Sequence, residues 1–416
     1  MLNWANQFNI FLCLPANEYS KQGLHQFDIL MAVGAKHIFN GQQNNNNIFN
    51  NWQHFIDQHK NEFLFGHINY DLKNNIEQGL VSKKQKASGF NTVTWFVPAY
   101  IIMVKNNIIY IKANNNQAQI LEQILNFSIN NVVALPKLNI VPTQTKANFI
   151  KGINAIKKNI QIGNCYEVNY CQHFKASNAI LNPVDTFLAL NKLSPNPFAA
   201  CYKQNKNWLF CASPERFLTL ANNYIYSQPI KGTTKRVLNN SLADKAAKQQ
   251  LQNHFKERAE NIMVVDLVRN DMSKICEPGT VIVNELCAIY TYPQVHQMIS
   301  SISGKLKPNS SFTSIIKAMF PMGSMTGAPK YKVMQLIEQH EAVQRGLFSG
   351  SVGFIAPNGH ADLNVVIRSM FYNQANQSLH FFAGGGITHY SNPVAEYHET
   401  LLKVKAIMAL FGQQTF

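Results

Sequence analysis

The stretch "SLADKAAKQQLQNHFKERAENIMVVDLVRND", residues 241–271, predicts a long helix. Ser241 is placed as its N-cap, and Asp244 three residues later completes the pattern of a capping box. A second helix is predicted over residues 392–412, "NPVAEYHETLLKVKAIMALFG", which has Pro393 in its first turn and a glycine after its last apolar position. Strand-like runs such as "ADLNVVIRSMFY" and "SLHFFAGGGI" lie between the two helices. This mixture predicts an α+β fold with much antiparallel pairing.

The part of the chain before these helices suggests two regions. Short apolar strands alternate with Asn-rich loops up to about residue 137, and a helix is then predicted over residues 146–160. We place an N-terminal region at residues 1–137 and a second region, which carries the stronger motifs, at residues 138–416. The most apolar stretch, "TVTWFVPAYIIMV", is shorter than the roughly 20 residues of a membrane helix and contains Pro98, so it predicts buried strands and no membrane contact.

Composition narrows the class of protein. The 416 residues are 46% hydrophobic, enough for a packed core. The net charge of +15 comes from lysines spread thinly along the chain, with "KKQK" at residues 83–86 as the one notable cluster, so nucleic-acid binding is not expected. The charge favours anionic small molecules or an acidic partner. Seven scattered cysteines without C-x-x-C spacing predict reduced, mostly buried thiols, and the absence of a secretory signal predicts a cytoplasmic location.

Two pairs of carboxylates lie on the predicted helices. Glu257 with Glu260, and Glu396 with Glu399, are each spaced i and i+3 on one face. Mg²⁺ is commonly held by a few carboxylates together with water and substrate oxygens, so the two helices could form a magnesium site. From spacing alone, a solvated helix face without any ligand is the more common outcome. Lys403 continues the face of Glu399 one turn later.

A lysine occupies an unusual place in "YSQPIKGTTKR", residues 226–236. Lys231 stands between Ile230 and Gly232 where a strand runs into a turn. It is either a solvated charge at a strand end or an amine at a reaction centre. An amine shielded from water can have a lowered pKa and act as a nucleophile near neutral pH.

Short motifs follow one another from residue 146 to the end of the chain: "GNCYEVNYCQ", "CASPERF", "QPIKGT", "KERAENIMVVDLVRND", "PMGSMTGAPK", "GSVGF", "DLNVVIR", "AGGGI" and "AEYHETLLK". In this order they resemble the chorismate-utilising enzymes. "FGHINYDL" and "WFVPAY" in the N-terminal region look like weaker signals of the same family. The fold that the resemblance implies is an α/β sandwich of the anthranilate synthase component I type, with two antiparallel sheets face to face, helices outside and a central cleft.

Within the family, Lys231 separates two branches. Anthranilate synthases resemble this segment but have alanine there, whereas aminodeoxychorismate synthases have lysine. The resemblance therefore implies that chorismate is aminated at C4 for folate biosynthesis. It further implies that Lys231 attacks ring carbon C2 while Glu215 of "SPERF" protonates the departing C4 hydroxyl, and that ammonia then displaces the lysine. The main alternative is an anthranilate synthase component I. A catalytically inactive subunit that binds chorismate is less favoured, since every motif acid is retained, and a nucleic-acid binder is more remote.

The resemblance also implies roles for the remaining site residues. Mg²⁺ would be held by Glu260 and Glu399, with Glu257 and Glu396 supporting them. The substrate carboxylates and the pocket wall would involve several positions, namely Gly232, Thr233, Ser324, Arg368, Gly385, Gly386 and Lys403. No G-x-C-x-G nucleophile elbow is found, so a separate glutaminase subunit (component II) is expected to supply the ammonia.

Three positions depart from the family pattern. Glu167 replaces the lysine that activates water in isochorismate and salicylate synthases, and glutamine is usual in aminodeoxychorismate synthases, so a nitrogen product is favoured. Gln297 stands where many relatives have a histidine linked to pyruvate elimination, unless a shift of one residue restores His296. Phe348 replaces a frequent tyrosine, so one hydroxyl contact to the substrate is in doubt.

Overall fold

A computed structural model describes residues 1–17, 25–43, 45–82, 84–113, 116–127 and 134–413. The helices in these residues are α1 (Leu2–Ala5), α2 (Ile48–Gln58), α3 (Lys73–Ile76), α4 (Gln117–Leu125), α5 (Lys146–Gln161), α6 (Pro183–Leu193), α7 (Ser241–Asn253), α8 (Phe255–Ser273), α9 (Phe312–Met319), α10 (Lys330–His340) and α11 (Pro393–Leu410). Short 3₁₀ turns cover Tyr70–Leu72 and Gly323–Met325. No helix within the described ranges is long and apolar enough to cross a membrane.

The strands are β1 (Ile10–Pro15), β2 (Ile29–Gly41), β3 (Leu64–Ile68), β4 (Val93–Lys105), β5 (Ile108–Ala113), β6 (Val141–Pro142), β7 (Glu167–Ala176), β8 (Phe198–Gln204), β9 (Asn207–Ser213), β10 (Arg216–Ala221), β11 (Tyr224–Gln228), β12 (Ile230–Lys235), β13 (Ile282–Thr291), β14 (Val295–Lys305), β15 (Gly327–Ala328), β16 (Ser351–Ile355), β17 (Ala361–Asn364), β18 (Ser369–Asn373) and β19 (Ser378–Ile387). The pairings between them are antiparallel, as alternating apolar patterns and short connections favour.

The strands form one continuous sheet with two arms, which meet where the long strands β2 and β4 pair. One arm continues from β4 through β3, β16, β17, β10 and β11 to β14. The other continues from β2 through β1, β8, β9, β18 and β19 to β7. The largest apolar cluster contains residues of both arms, such as Trp95, Phe354 and Phe382, so the arms pack against each other. The predicted α+β class with antiparallel sheets is confirmed, and the two sheets are continuous through their shared strands.

Several predicted elements are confirmed and one is corrected. Helices α5 and α11 lie where they were expected, and the cysteines are buried and unpaired. The stretch 241–271 is two helices, because His254 takes an extended conformation (ψ 109°) that interrupts the helical hydrogen bonds. The N-cap is Asn240, whose side chain accepts from the amide of Ala243, so the prediction of Ser241 was wrong by one residue.

The boundary near residue 138 stays a prediction. Strands from its two sides pair with each other, β1 with β8 and β3 with β16. Hydrogen bonds therefore join the N-terminal region to the second region along both arms.

Candidate active site

Lys231 lies on a β-bulge. Strand β12 pairs Ile230 with Ile299 and Thr233 with Gln297 of β14, so two residues of β12 stand opposite the single residue between them on β14. Gly232 completes the bulge with φ +90°, and a Cβ there would lie 3.2 Å from Oε2 of Glu257. Such a bulge redirects a side chain from the regular alternation of a strand. It explains why the lysine is followed by glycine.

The Lys231 ammonium is held by carboxylates. Its Nζ donates to Oε1 of Glu167 at 2.6 Å and lies 4.0 Å from Oε2 of Glu260. Burial alone lowers the pKa of Lys231, but attraction to Glu167, Glu260 and Glu215 outweighs burial and raises it. Shielding from water would lower the pKa of this amine, but here shielding comes together with three acidic neighbours that raise it. Lys231 is therefore a charged, ordered side chain rather than a solvated strand end.

Glu167 joins the site through a contact with Lys231 that was not predicted. Its side chain is 2% exposed at the start of β7, and its Oε2 has no hydrogen-bond partner among the described residues. Gly386 of β19 makes room for it, since a Cβ at that glycine would lie 2.3 Å from Oε1 of Glu167 and 3.2 Å from Nζ of Lys231. The unusual acid at this position was the available signal, and its contact with Lys231 depends on strands far apart in the sequence.

Glu215 lies between β9 and β10 and is buried. Its Oε1 accepts a 2.6 Å hydrogen bond from the hydroxyl of Ser324 in the second 3₁₀ turn. Burial raises the pKa of Glu215 to about 7, although Ser324, Lys231 and Arg368 each act to lower it. A carboxyl group with this pKa can both donate and accept a proton near neutrality, as a general acid must.

Arg368 connects β17 to β18 in a left-handed conformation with φ 51°. A non-glycine residue in this region costs about 1 kcal/mol or more, which often occurs where a side chain must point into a site. The residue as a whole is exposed, and its guanidinium makes no hydrogen bond within the described residues. Crowding by protein atoms lowers its pKa, and Glu215 acts in the opposite direction. The side chain is thus available to a ligand carboxylate.

The break at His254 positions the acids of α8. Its Nδ1 accepts from the amide of Glu257, so α8 begins afresh with Glu257 and Glu260 in its first turns. Glu260 is largely buried, and burial raises its pKa to about 7. The ammonium of Lys256 lies 3.7 Å from Oε1 of Glu260 and 3.6 Å from Oε1 of Glu396 on α11. The ammonium of Lys256 therefore already links the two predicted acid pairs.

Helix α11 brings its acids to the end of β19. Lys403 pairs with Glu399 at 2.9 Å and donates to the carbonyl of Gly384 at 2.8 Å. Burial acts to raise the pKa of Glu399, but Lys403, Lys256 and Lys231 together outweigh burial and the pKa is lowered. A Cβ at Gly385 would lie 3.6 Å from Oε2 of Glu396. The predicted acids, glycines and Lys403 are thus neighbours.

The donors suit a hard cation, but the magnesium site stays a prediction. Carboxylate oxygens are preferred by Mg²⁺, and Oε1 of Glu260 is buried without a hydrogen-bond partner. Within the described part of the chain, however, no group of three or more His, Cys, Asp or Glu side chains is close enough to hold a metal.

Other predicted positions have different surroundings. Thr233 is exposed opposite Gln297, which is fully buried with both amide atoms unpaired in the described structure. Nε2 of His296 lies 3.1 Å from a carboxylate oxygen of Asp244, and Nδ1 of His296 lies 3.0 Å from the hydroxyl of Thr291. Phe348 is buried and stacks on Phe382 with ring centroids 4.8 Å apart. Gln297 is therefore opposite a predicted pocket residue, and His296 has structural partners.

Comparison with known proteins gives a consistent result. Residues 15–409 match the family described as chorismate binding enzyme. Aminodeoxychorismate synthase component 1 of Salmonella typhimurium is 38% identical over 264 residues, which are 64% of this chain and 57% of that protein. Probable aminodeoxychorismate synthase, chloroplastic, of Oryza sativa subsp. japonica is 39% identical over 65% of this chain and 30% of that protein. The matched part is thus about half or less of these relatives.

Solved structures support the architecture. Anthranilate synthase component I from Streptococcus pneumoniae superposes with a TM-score of 0.81 and 24% identity, covering 91% of each chain. The menaquinone-specific isochorismate synthase from Escherichia coli superposes with a TM-score of 0.76 and 16% identity over 99% of this chain and 91% of that one. At these identities the similarity concerns the fold alone.

Proposed function

Because this chain belongs to the family of chorismate binding enzymes, we propose that it exchanges the C4 hydroxyl of chorismate for an amino group, giving 4-amino-4-deoxychorismate and water. The observation that carries the proposal is Lys231, held on a bulge in contact with Glu167 and within the electrostatic reach of Glu215. The relatives named aminodeoxychorismate synthase support the same chemistry.

In the first half of the reaction, the amine of Lys231 forms a bond to ring carbon C2. The ring electrons shift, the C4–O bond breaks, and Glu215 gives its proton to the departing hydroxyl, which leaves as water. Lys231 must lose its own proton before it attacks, and the carboxylate of Glu167 is its hydrogen-bond acceptor. The pKa of about 7 keeps a large share of Glu215 protonated for this step.

In the second half, ammonia bonds to C4 and the C2–N bond to Lys231 breaks. Ammonia loses one proton as its nitrogen becomes the product amine, and the departing lysine amine is free to take a proton again. Two successive displacements return the amino group to the face that the hydroxyl had left. Arg368, whose guanidinium has no hydrogen bond among the described residues, and Lys403 are suited to hold the substrate carboxylates.

Glu260 and Glu399, supported by Glu257 and Glu396, would hold Mg²⁺. When bound, the ion supplies positive charge for a carboxylate of the substrate. Lys256 must then give up its place between Glu260 and Glu396. A separate glutaminase subunit as the ammonia source, and a cytoplasmic location, remain expectations from the sequence.

The second candidate is an anthranilate synthase component I, which the fold comparison allows. Incubation of the purified chain with chorismate, Mg²⁺ and ammonium, followed by identification of the product by mass spectrometry, separates the two. We expect 4-amino-4-deoxychorismate without pyruvate. Formation of anthranilate and pyruvate would reject the proposal.

A further inference from the structure

The Arg345 guanidinium is buried and fully hydrogen-bonded. It is 1% exposed, and all five of its N–H groups have acceptors in the structure. Nε and Nη2 donate to the two carboxylate oxygens of Glu341 at 2.9 and 2.6 Å. Nη1 donates to the carbonyl of Met325 at 2.7 Å and to the hydroxyl of Ser349 at 3.2 Å, and Nη2 also donates to the carbonyl of Asn169 at 2.8 Å.

The two backbone carbonyls belong to the segments that carry the site. Met325 follows Ser324, whose hydroxyl donates to Glu215. Asn169 comes two residues after Glu167 on β7 and pairs with Gly386 of β19. The side chain of Asn169 also donates to the carbonyl of Ser324 at 3.2 Å. One guanidinium thus joins the segment of the acid to the segment that holds the lysine.

The N-terminal region supports Arg345 from the other side. The ring of Tyr70 lies under the guanidinium at 4.7 Å from its centroid. The amide of Tyr70 donates to the carbonyl of Gly346, and the carboxylate of Asp71 accepts from the amide of Gly346. Tyr70 and Asp71 belong to the "FGHINYDL" signal, which has no role in the proposed reaction. Their contacts give this motif a structural purpose.

We infer that Arg345 is a positioning residue, which fixes the spacing between the amine of Lys231 and the carboxyl of Glu215 and is itself held by the Tyr70–Asp71 motif. The inference rests on the proposed function. Lysine cannot replace Arg345, because a single ammonium cannot reach both carbonyls and Glu341 in the same geometry. Loss of the guanidinium should disturb the step that needs both Lys231 and Glu215 more than it disturbs chorismate binding.

The main test is Arg345→Lys, with Arg269→Lys as the matched control. Arg269 lies near the end of α8, is half exposed and pairs with the exposed Asp266 at 2.8 Å. In steady-state assays with chorismate and ammonium, Arg345→Lys should lower kcat by about 100-fold while KM for chorismate changes by less than about threefold. Arg269→Lys should leave kcat within about twofold of the parent.

A second readout does not need chorismate. The rate at which a small acetylating reagent modifies Lys231, read by peptide mass spectrometry, reports how firmly Glu167 holds the amine. Arg345→Lys should change this rate by about fivefold or more, and Arg269→Lys should not. If the parent protein fails to convert chorismate, the proposed function is wrong and this labelling decides on Arg345 by itself.

Glu341→Gln serves where Arg345→Lys does not fold. It keeps the shape of the side chain but removes the charge that orients the guanidinium, so the same loss of kcat and the same change in labelling are expected. The inference is overturned if Arg345→Lys, or Glu341→Gln in its place, keeps parental kcat and labelling. It is equally overturned if Arg269→Lys shows the same loss as the test variant.

Discussion

Replacing Glu215 by glutamine should make the protein more stable at high pH while removing the proposed acid. The pKa of Glu215 is raised by burial from 4.5 to about 7, so the folded protein keeps this proton over a pH range in which the unfolded chain has lost it. Stability contributed by this group is therefore lost as pH rises through the window from 4.5 to about 7. Glutamine keeps an oxygen to accept from Ser324 and has no charge to bury.

The size of the effect follows from the difference between the two pKa values. A difference of about 2.5 corresponds to a cost of about 1 kcal/mol at pH 5 and about 3 kcal/mol at pH 8 for the parent protein. The stability of Glu215→Gln relative to the parent should thus improve by about 2 kcal/mol between pH 5 and pH 8. The comparison between two pH values cancels any pH-independent change in packing.

Urea unfolding of both proteins at pH 5 and pH 8, after a test of reversibility, measures this double difference. Glu122→Gln, an exposed position on α4, is the control and should show no such dependence. An equal stability difference between Glu215→Gln and the parent at both pH values would refute the raised pKa, and with it the structural support for Glu215 as the acid.

Three further outcomes are expected. When ammonia is withheld, intact-protein mass spectrometry should show a covalent adduct of the parent protein with one chorismate less one water. Lys231→Ala should still bind chorismate but should not form this adduct. An adduct in the variant would reject Lys231 as the nucleophile. Glu260→Gln and Glu399→Gln should each lower turnover by about 100-fold or more with the fold retained by circular dichroism, and normal activity at ordinary Mg²⁺ would remove the metal assignment. Gln297→Met should raise the free energy of unfolding by about 1 kcal/mol, because it removes two buried polar atoms that have no hydrogen-bond partner among the described residues. A lower free energy of unfolding would show that the amide is hydrogen-bonded in the folded protein.

Helices whose ends are marked by proline or glycine were predictable from the sequence. Helix α11 begins at a proline, and its end near Phe411 is followed by a glycine, so both limits were visible in the sequence. The break at His254 was not, because no proline or glycine marks it and the helical pattern continues on both sides. The N-cap of α7 was misplaced by one residue because Asn240 and Ser241 are both good capping residues.

The site was predictable in its residue types but not in its electrostatics. The motifs indicated Lys231, Glu215 and the two acid pairs, and the fold places them near one another. Which carboxylate contacts Lys231 depends on the start of β7, 64 residues away, and on a bulge that no alternation pattern reveals. For that reason the direction of the lysine pKa could not be deduced from sequence.

The contact between Lys231 and Glu167 also restricts how this protein can evolve. Lysine at position 167, as found in the relatives that activate water, would bring a second ammonium to within about 3 Å of the first, and such a pair repels strongly where water is excluded. The site can therefore accept a lysine at position 167 only if position 231 loses its charge, so the residues at these two positions depend on each other.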